Sequence, residues 1–336
     1  MDKIWNLQAL RAVAAGAVLM GHVLAEAQHH FAVPIPLTDL PWSRGVDLFF
    51  VISGLIIGLM LIRPTQSPGA FLLRRLWRVV PLYYVFTTLM VGVVLLSPSA
   101  LKDTGFDPGQ IVSSYLFVPY ARDDGRIAPV LSLGWTLNYE VFFYALASAA
   151  LWLRRPFVTL SLVLIGLVLC HRFVPHVVWA HSWTDPIILE FLAGLWLARA
   201  YQTGWWMKVR TGTFLAVLGV GLLCALHHSG LPRWIAAGLP ATLITGAFAL
   251  SSPFRWPQWM LLLGEASYAL YLSHRFVLRP LTLVLVPMLA PAPWAITLFV
   301  CIAVSAACLV AVMVHLWFER PLLQWSPCTA PKRVTS

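Results

Sequence analysis

Apolar residues in this chain are gathered into long stretches, set apart by short breaks rich in Pro, Arg and polar residues. A bilayer core about 30 Å thick needs roughly 20 apolar residues of helix. Ten segments meet or approach that length: 8–25, 45–62, 79–97, 135–153, 157–174, 186–200, 213–228, 235–252, 259–279 and 294–318. The pattern therefore predicts an all-α fold, a polytopic membrane helix bundle of about ten transmembrane helices. The stretch 111–119 is too short to span and reads as a re-entrant or interfacial piece. Lys3, the first apolar run and Ala25-Glu26-Ala27 imitate a cleavable signal, but Arg11 interrupts the run and many spans follow.

Composition supports this reading. Hydrophobic residues make up 60% and charged residues 11% of the 336 positions, against about 45–50% and about 25% in soluble domains. A soluble globule and a disordered chain are excluded. The net charge of +10 does not mark a nucleic-acid partner, because Lys and Arg stand singly between apolar runs. With both termini cytoplasmic, the inner side receives 15 of the 23 Lys and Arg and the outer side 8, the bias that bilayer insertion produces. Arg75, Arg154 and Lys332 are then inside and Arg126 outside. Many of the 16 Trp end apolar runs, where an indole sits at the membrane interface. The five Cys show no ligand spacing. No repeat or linker divides the chain, which reads as one membrane domain over 1–320 with a short cytoplasmic tail, 321–336.

Ionisable residues inside apolar spans are costly and so are candidates for function. Arg11 and His22 lie eleven positions apart on the first span. At about 100° per residue they share one face, about 16 Å apart along the axis. Asp47 opens the second span and Glu140 lies in the outer part of the fourth, both at about the depth of His22. Arg74, Arg75 and Arg78 precede the third span, and Arg75 and Arg78 share a face. They serve either as positive-inside anchors or as forked donors to phosphate. Ser267, Tyr271 and His274 form a stripe on the ninth span with Glu265 and Tyr268 beside it. Glu190 and His315 read as structural polar residues. The pairs and triads His29-His30, His171/His176/His181 and His227-His228 lack clustered Cys or carboxylates, so no metal is expected.

Six motifs, in order, resemble the acyltransferase 3 family of bacterial membrane acyltransferases. They are Asn6-Leu7-Gln8-Ala9-Leu10-Arg11 with His22, the Phe-rich Gly45–Gly54 segment around Asp47, and Arg75-Leu76-Trp77-Arg78. Trp135-Thr136-Leu137 leading to Glu140 and Tyr144, Gly264–His274, and Phe318-Glu319-Arg320-Pro321 complete the set. Two departures stand out. Gly21 occupies a place where an aromatic residue often precedes the His, and no extracytoplasmic hydrolase-like domain is appended. The resemblance implies a multi-pass protein of the bacterial cytoplasmic (inner) membrane. Its implied activity is transfer of an acyl group, most often acetyl, from acyl-CoA to a hydroxyl of a sugar or exported glycan. His22 would be general base or transient acyl acceptor, oriented by Asp47 or Glu140. Arg75 and Arg78 would hold the CoA phosphates, Arg11 would help with the donor, and Tyr144, Ser267, Tyr271 and His274 would line the pocket. A cytoplasmic phosphate grip and a base towards the outside require the pantetheine arm to enter the bundle. The rival reading of these spans is a proton-coupled transporter or glycan flippase.

Overall fold

In a computed structural model, all ten apolar segments are helical, and the described residues are 4–96, 107–175, 177–289 and 293–325. The principal helices are α1 (Trp5–Phe31), α2 (Gly45–Ile62), α3 (Pro68–Leu96), α4 (Pro108–Tyr115), α5 (Trp135–Ala150), α6 (Pro156–Cys170) and α7 (Val178–Trp183). They continue with α8 (Leu189–Gln202), α9 (Val209–Leu226), α10 (Leu239–Ala249), α11 (Gln258–Glu265), α12 (Ser267–Leu285), α13 (Pro293–Val314) and α14 (Arg320–Gln324). Among the described residues the only β-pairing is two isolated bridges. Among the described residues six stretches are long and apolar enough to cross a membrane: Trp5–Phe31, Trp42–Ile62, Pro68–Leu96, Val209–Leu226, Ser267–Met288 and Trp294–Gln324. Pro156–Cys170 and Trp234–Ala249 are apolar but shorter, as are α5 and α8 with 16 and 14 residues. His176, Lys332 and most of the expected tail lie outside the described residues.

Three boundaries differ from the expected ones for local reasons. The third helix begins at Pro68 rather than near 79, with Ser67 Oγ accepting from the Ala70 N–H at 3.4 Å. Proline suits a first helical position because its missing N–H would have no partner there. Arg74, Arg75 and Arg78 are consequently on the helix instead of ahead of it. The ninth segment is two helices, since the backbone at Ala266 leaves helical geometry (φ −77°, ψ 1°) before α12 restarts. The short 111–119 stretch is helical only in α4, whose Asp107 cap accepts from the Gly109 and Gln110 N–H groups at 2.8 and 3.3 Å. Tyr120 donates to the other Asp107 oxygen at 2.6 Å. These bonds, the Tyr120 hydroxyl foremost, hold the Asp107 carboxyl below its usual range.

The chain divides into two compact units. The first comprises Met1–Leu59 and Leu189–His315, and the second Met60–Ile188 and Leu316–Ser336. In the first, α13 presents Ala295, Phe299, Ala303, Ala307 and Ala311 at every fourth position, fully buried against Ala15, Leu19, Val23 and Ala27 of α1 and Leu270 and Leu278 of α12. Small residues at that spacing let helices approach closely where lipid offers no hydrophobic drive. The same logic joins α2 to α8. A Cβ on Gly54 would collide with the Phe191 carbonyl, and one on Gly194 with that of Val51. Gly54 and Gly58, with Gly194 and Ala198 opposite, form a small-residue crossing that fixes the helices carrying Asp47 and Glu190.

In the second unit, polar ties do the fastening. Ser148 donates to the Pro68 carbonyl at 2.9 Å, joining α5 to the start of α3. Tyr83 donates to the Ser114 carbonyl at 3.2 Å, joining α3 to α4. The Trp77 indole donates to the Leu322 carbonyl at 2.9 Å, joining α3 to α14.

Candidate functional site

The first unit brings together two imidazoles from distant parts of the chain. His22 of α1 and His274 of α12 lie with ring centroids 5.1 Å apart, tilted by 30°. His22 is half-buried and His274 is 1% exposed. His274 Nδ1 sits 2.9 Å from the Leu270 carbonyl, which only accepts, so that nitrogen carries the hydrogen. Its Nε2 is buried with no hydrogen-bond partner among the described residues. Tyr271 stands beside it, 6.5 Å from the His274 ring and 6.5 Å from Phe49 of α2. Ser267, one stripe position below, is fully buried and its Oγ has no partner either. The expected Ser267–Tyr271–His274 stripe thus faces protein interior rather than lipid. Gly21, the departure noted in the sequence, is covered by Trp42, whose Cβ would lie 2.6 Å from an added methyl. An aromatic from the following turn fills the space a larger residue at position 21 would take.

Asp47 is fully buried, and both its oxygens are taken by Arg233, whose Nε and Nη2 donate at 2.9 Å each. A bidentate guanidinium is the counter-charge a carboxylate needs out of water. Asp47 was expected beside the imidazole; its hydrogen-bonding partner is this arginine, while the ring against His22 is another histidine. Glu190 of α8, read from sequence as structural, is 1% exposed and within electrostatic reach of Asp47, Arg233 and Arg44. Arg233 directly precedes a π-helical turn, Trp234–Gly238, and Gly238 leaves room for the Glu190 side chain. His315 lies 3.8 Å from Glu265. Asn6 anchors the start of α1, its amide donating to the carbonyls of Phe248 and Ser252 and its oxygen accepting from Phe254 N–H and the Trp256 indole.

Arg11 is on α1 in the first unit, and the second unit holds Arg75, Arg78, Glu140 and Tyr144. Arg75 and Arg78 are half-buried on α3. The Arg75 guanidinium lies within electrostatic reach of Tyr144, Arg78, Glu140 and Arg74. On α5 the Tyr144 hydroxyl donates to Glu140 one turn earlier. Arg75 Nε is buried without a hydrogen-bond partner among the described residues. Two arginines thus stand on one face of α3, with Arg74 and the Glu140 carboxylate within electrostatic reach of Arg75.

Sequence reading grouped Glu140 with Asp47 as the two candidates to orient His22, whereas Glu140 accepts from Tyr144 and lies within electrostatic reach of Arg75. That reading gave Asp47 no partner in Arg233 and assigned no task to Asn6. The signal for Arg233 was available: Asp47 at the mouth of an apolar run demands a cation, and Arg233 stands at the mouth of another.

Among the described residues, fourteen α-helices in two units, with six stretches long and apolar enough to span a bilayer, describe a multi-pass membrane protein. Residues 4–313 match the acyltransferase 3 family, described as an acyltransferase domain, and the chain belongs to that family. It is 31% identical over 320 residues to the exopolysaccharide production protein ExoZ of Rhizobium meliloti (strain 1021), covering 91% of this chain and 95% of that protein. No solved structure matches the chain.

Proposed function

We propose that this acyltransferase moves an acyl group, acetyl in our reading, from acyl-CoA to a hydroxyl of an exported or surface glycan. The observation that carries the reading is the buried pairing of His22 with His274 on helices whose motifs belong to an acyltransferase family. The name of the relative ExoZ supports an exopolysaccharide acceptor.

In the proposed step the acceptor oxygen attacks the thioester carbonyl carbon while His22 takes the hydroxyl proton. The carbon–sulfur bond breaks, the new ester forms, and the proton passes from His22 to the departing CoA sulfur. An imidazole nitrogen can both accept and return a proton, which suits it to both transfers. Arg75 and Arg78 hold the phosphates of CoA through forked donors, with Glu140 and Tyr144 keeping the Arg75 side chain in place. Arg11, on the His22 face of α1, assists with the donor. Asp47, clamped by Arg233, acts on the shape of the first unit by fixing α2 against the π-helical turn. In our reading ten spans cross the bilayer with both termini cytoplasmic, and the arginine cluster is on the inner side.

Purified protein given acetyl-CoA and a de-esterified exopolysaccharide should release free CoA in equal amount to new ester. CoA release that does not depend on the glycan would overturn the assignment of the acceptor.

A further inference from the structure

His274 presents an unmet demand beside the proposed base. Its Nδ1–H is committed to Leu270 at 2.9 Å, so in the neutral ring Nε2 holds a lone pair. That lone pair is buried and receives no hydrogen bond from any described residue. A buried acceptor without a donor costs stability unless something outside the chain supplies one. His22 does not supply it: the rings lie 5.1 Å apart at a 30° tilt with no hydrogen bond between them. On the same helix Ser267 Oγ and Ser273 Oγ are also buried without hydrogen-bond partners among the described residues.

We infer that His274 Nε2 accepts a hydrogen bond from a second hydroxyl of the acceptor, next to the hydroxyl that His22 deprotonates. A single hydroxyl carries one proton and can satisfy only one of two imidazole lone pairs. Two rings side by side therefore ask for two donors on the ligand. Hydroxyls on adjoining carbons, as on a sugar ring, provide them within one small group. The acceptor class is then a vicinal diol, and His274 is a specificity-determining residue rather than a base. This rests on the acyltransferase reading above and adds to it which hydroxyls the site accepts.

Two isosteres separate the atoms of His274. In His274→Asn the amide nitrogen replaces Nδ1 and keeps the bond to Leu270, but nothing replaces Nε2. In His274→Gln the amide oxygen reaches the place of Nε2 and restores an acceptor. Transfer from acetyl-CoA is measured on alkali-de-esterified exopolysaccharide from the producing strain, with acetyl-CoA affinity measured alongside. His274→Asn should lose about 10- to 100-fold in kcat/KM for the glycan, the worth of one buried hydrogen bond. His274→Gln should recover most of that loss, and both should bind acetyl-CoA like the wild type. Equal activities for Asn and Gln, or a loss that falls on acetyl-CoA affinity, would overturn the inference. Mapping the ester on the wild-type product by NMR gives an arm independent of folding. An ester on a hydroxyl with a free neighbour on the adjoining carbon supports the inference, and one on an isolated hydroxyl overturns it. Absence of any transfer by the wild type would instead strike the acyltransferase reading, and the inference would fall with it.

Discussion

The two units solve the problem of polar chemistry inside a membrane in opposite ways. In the first, the central groups are imidazoles, which can be neutral, and the buried Asp47 charge is cancelled by Arg233 at two 2.9 Å contacts. In the second, Arg75 and Arg78 share α3, and Glu140 lies within electrostatic reach of Arg75. In the proposed reaction the first unit moves the proton and the second holds the anionic donor. Substitutions in the first should damage turnover or folding, and substitutions in the second should damage donor binding.

The largest expected effect is on turnover. His22→Ala should lower acyl transfer by about 10²–10⁴-fold, the usual worth of a general base, with acetyl-CoA affinity retained. Weakened CoA binding in this variant would erase the contrast between the units.

Breaking the Asp47 clamp comes next. Arg233→Gln leaves a fully buried carboxylate without its guanidinium and should destabilise the protein by about 3 kcal/mol, the lower end of what breaking a buried pair costs. The lower end applies because Arg233 keeps 33% of its side chain exposed. Asp47→Asn in the same chain should restore part of the loss, read as thermal unfolding in detergent. A double variant no more stable than Arg233→Gln alone would show that the pair is not the source.

The second unit should answer differently. Arg78→Gln should weaken acetyl-CoA binding by about tenfold, as one charge-assisted fork is lost. Arg78→Lys should recover only part, since an ammonium cannot reproduce the fork. Unchanged affinity in both would return these arginines to the role of membrane anchors.

Much of this contrast was legible in the sequence, because it rests on spacing along single helices. Arg11 and His22 on one face, Arg75 beside Arg78, and the Ser267–Tyr271–His274 stripe all follow from helical periodicity. What periodicity cannot supply is the partner from another helix. The Asp47–Arg233 pair joins residues 186 positions apart, and the His22–His274 contact depends on how α1 and α12 pack. The break at Ala266 was hidden because both flanking pieces are apolar. The division into two units was equally invisible, since each unit draws on two stretches far apart in the chain.

The smallest effect belongs to the loop outside the spans. Asp107 caps α4 and takes the Tyr120 hydroxyl, and its carboxyl is held below the usual range. A group depressed in the folded state stabilises above its unfolded pKa, and that contribution fades as pH falls through the folded value. Hydrogen exchange in α4 should therefore accelerate on acidification below about pH 4. Asp107→Asn should remove that pH dependence.

Inverted membrane vesicles, with the cytoplasmic face outward, offer the most direct trial of the proposed reaction. Acetyl-CoA carrying a ¹³C-labelled acetyl group is supplied outside, and the glycan is recovered for mass spectrometry. The acyltransferase reading predicts labelled ester on the glycan and one free CoA for each ester, both absent with His22→Ala. Glycan that crosses the membrane unlabelled, with acetyl-CoA left intact, would contradict it.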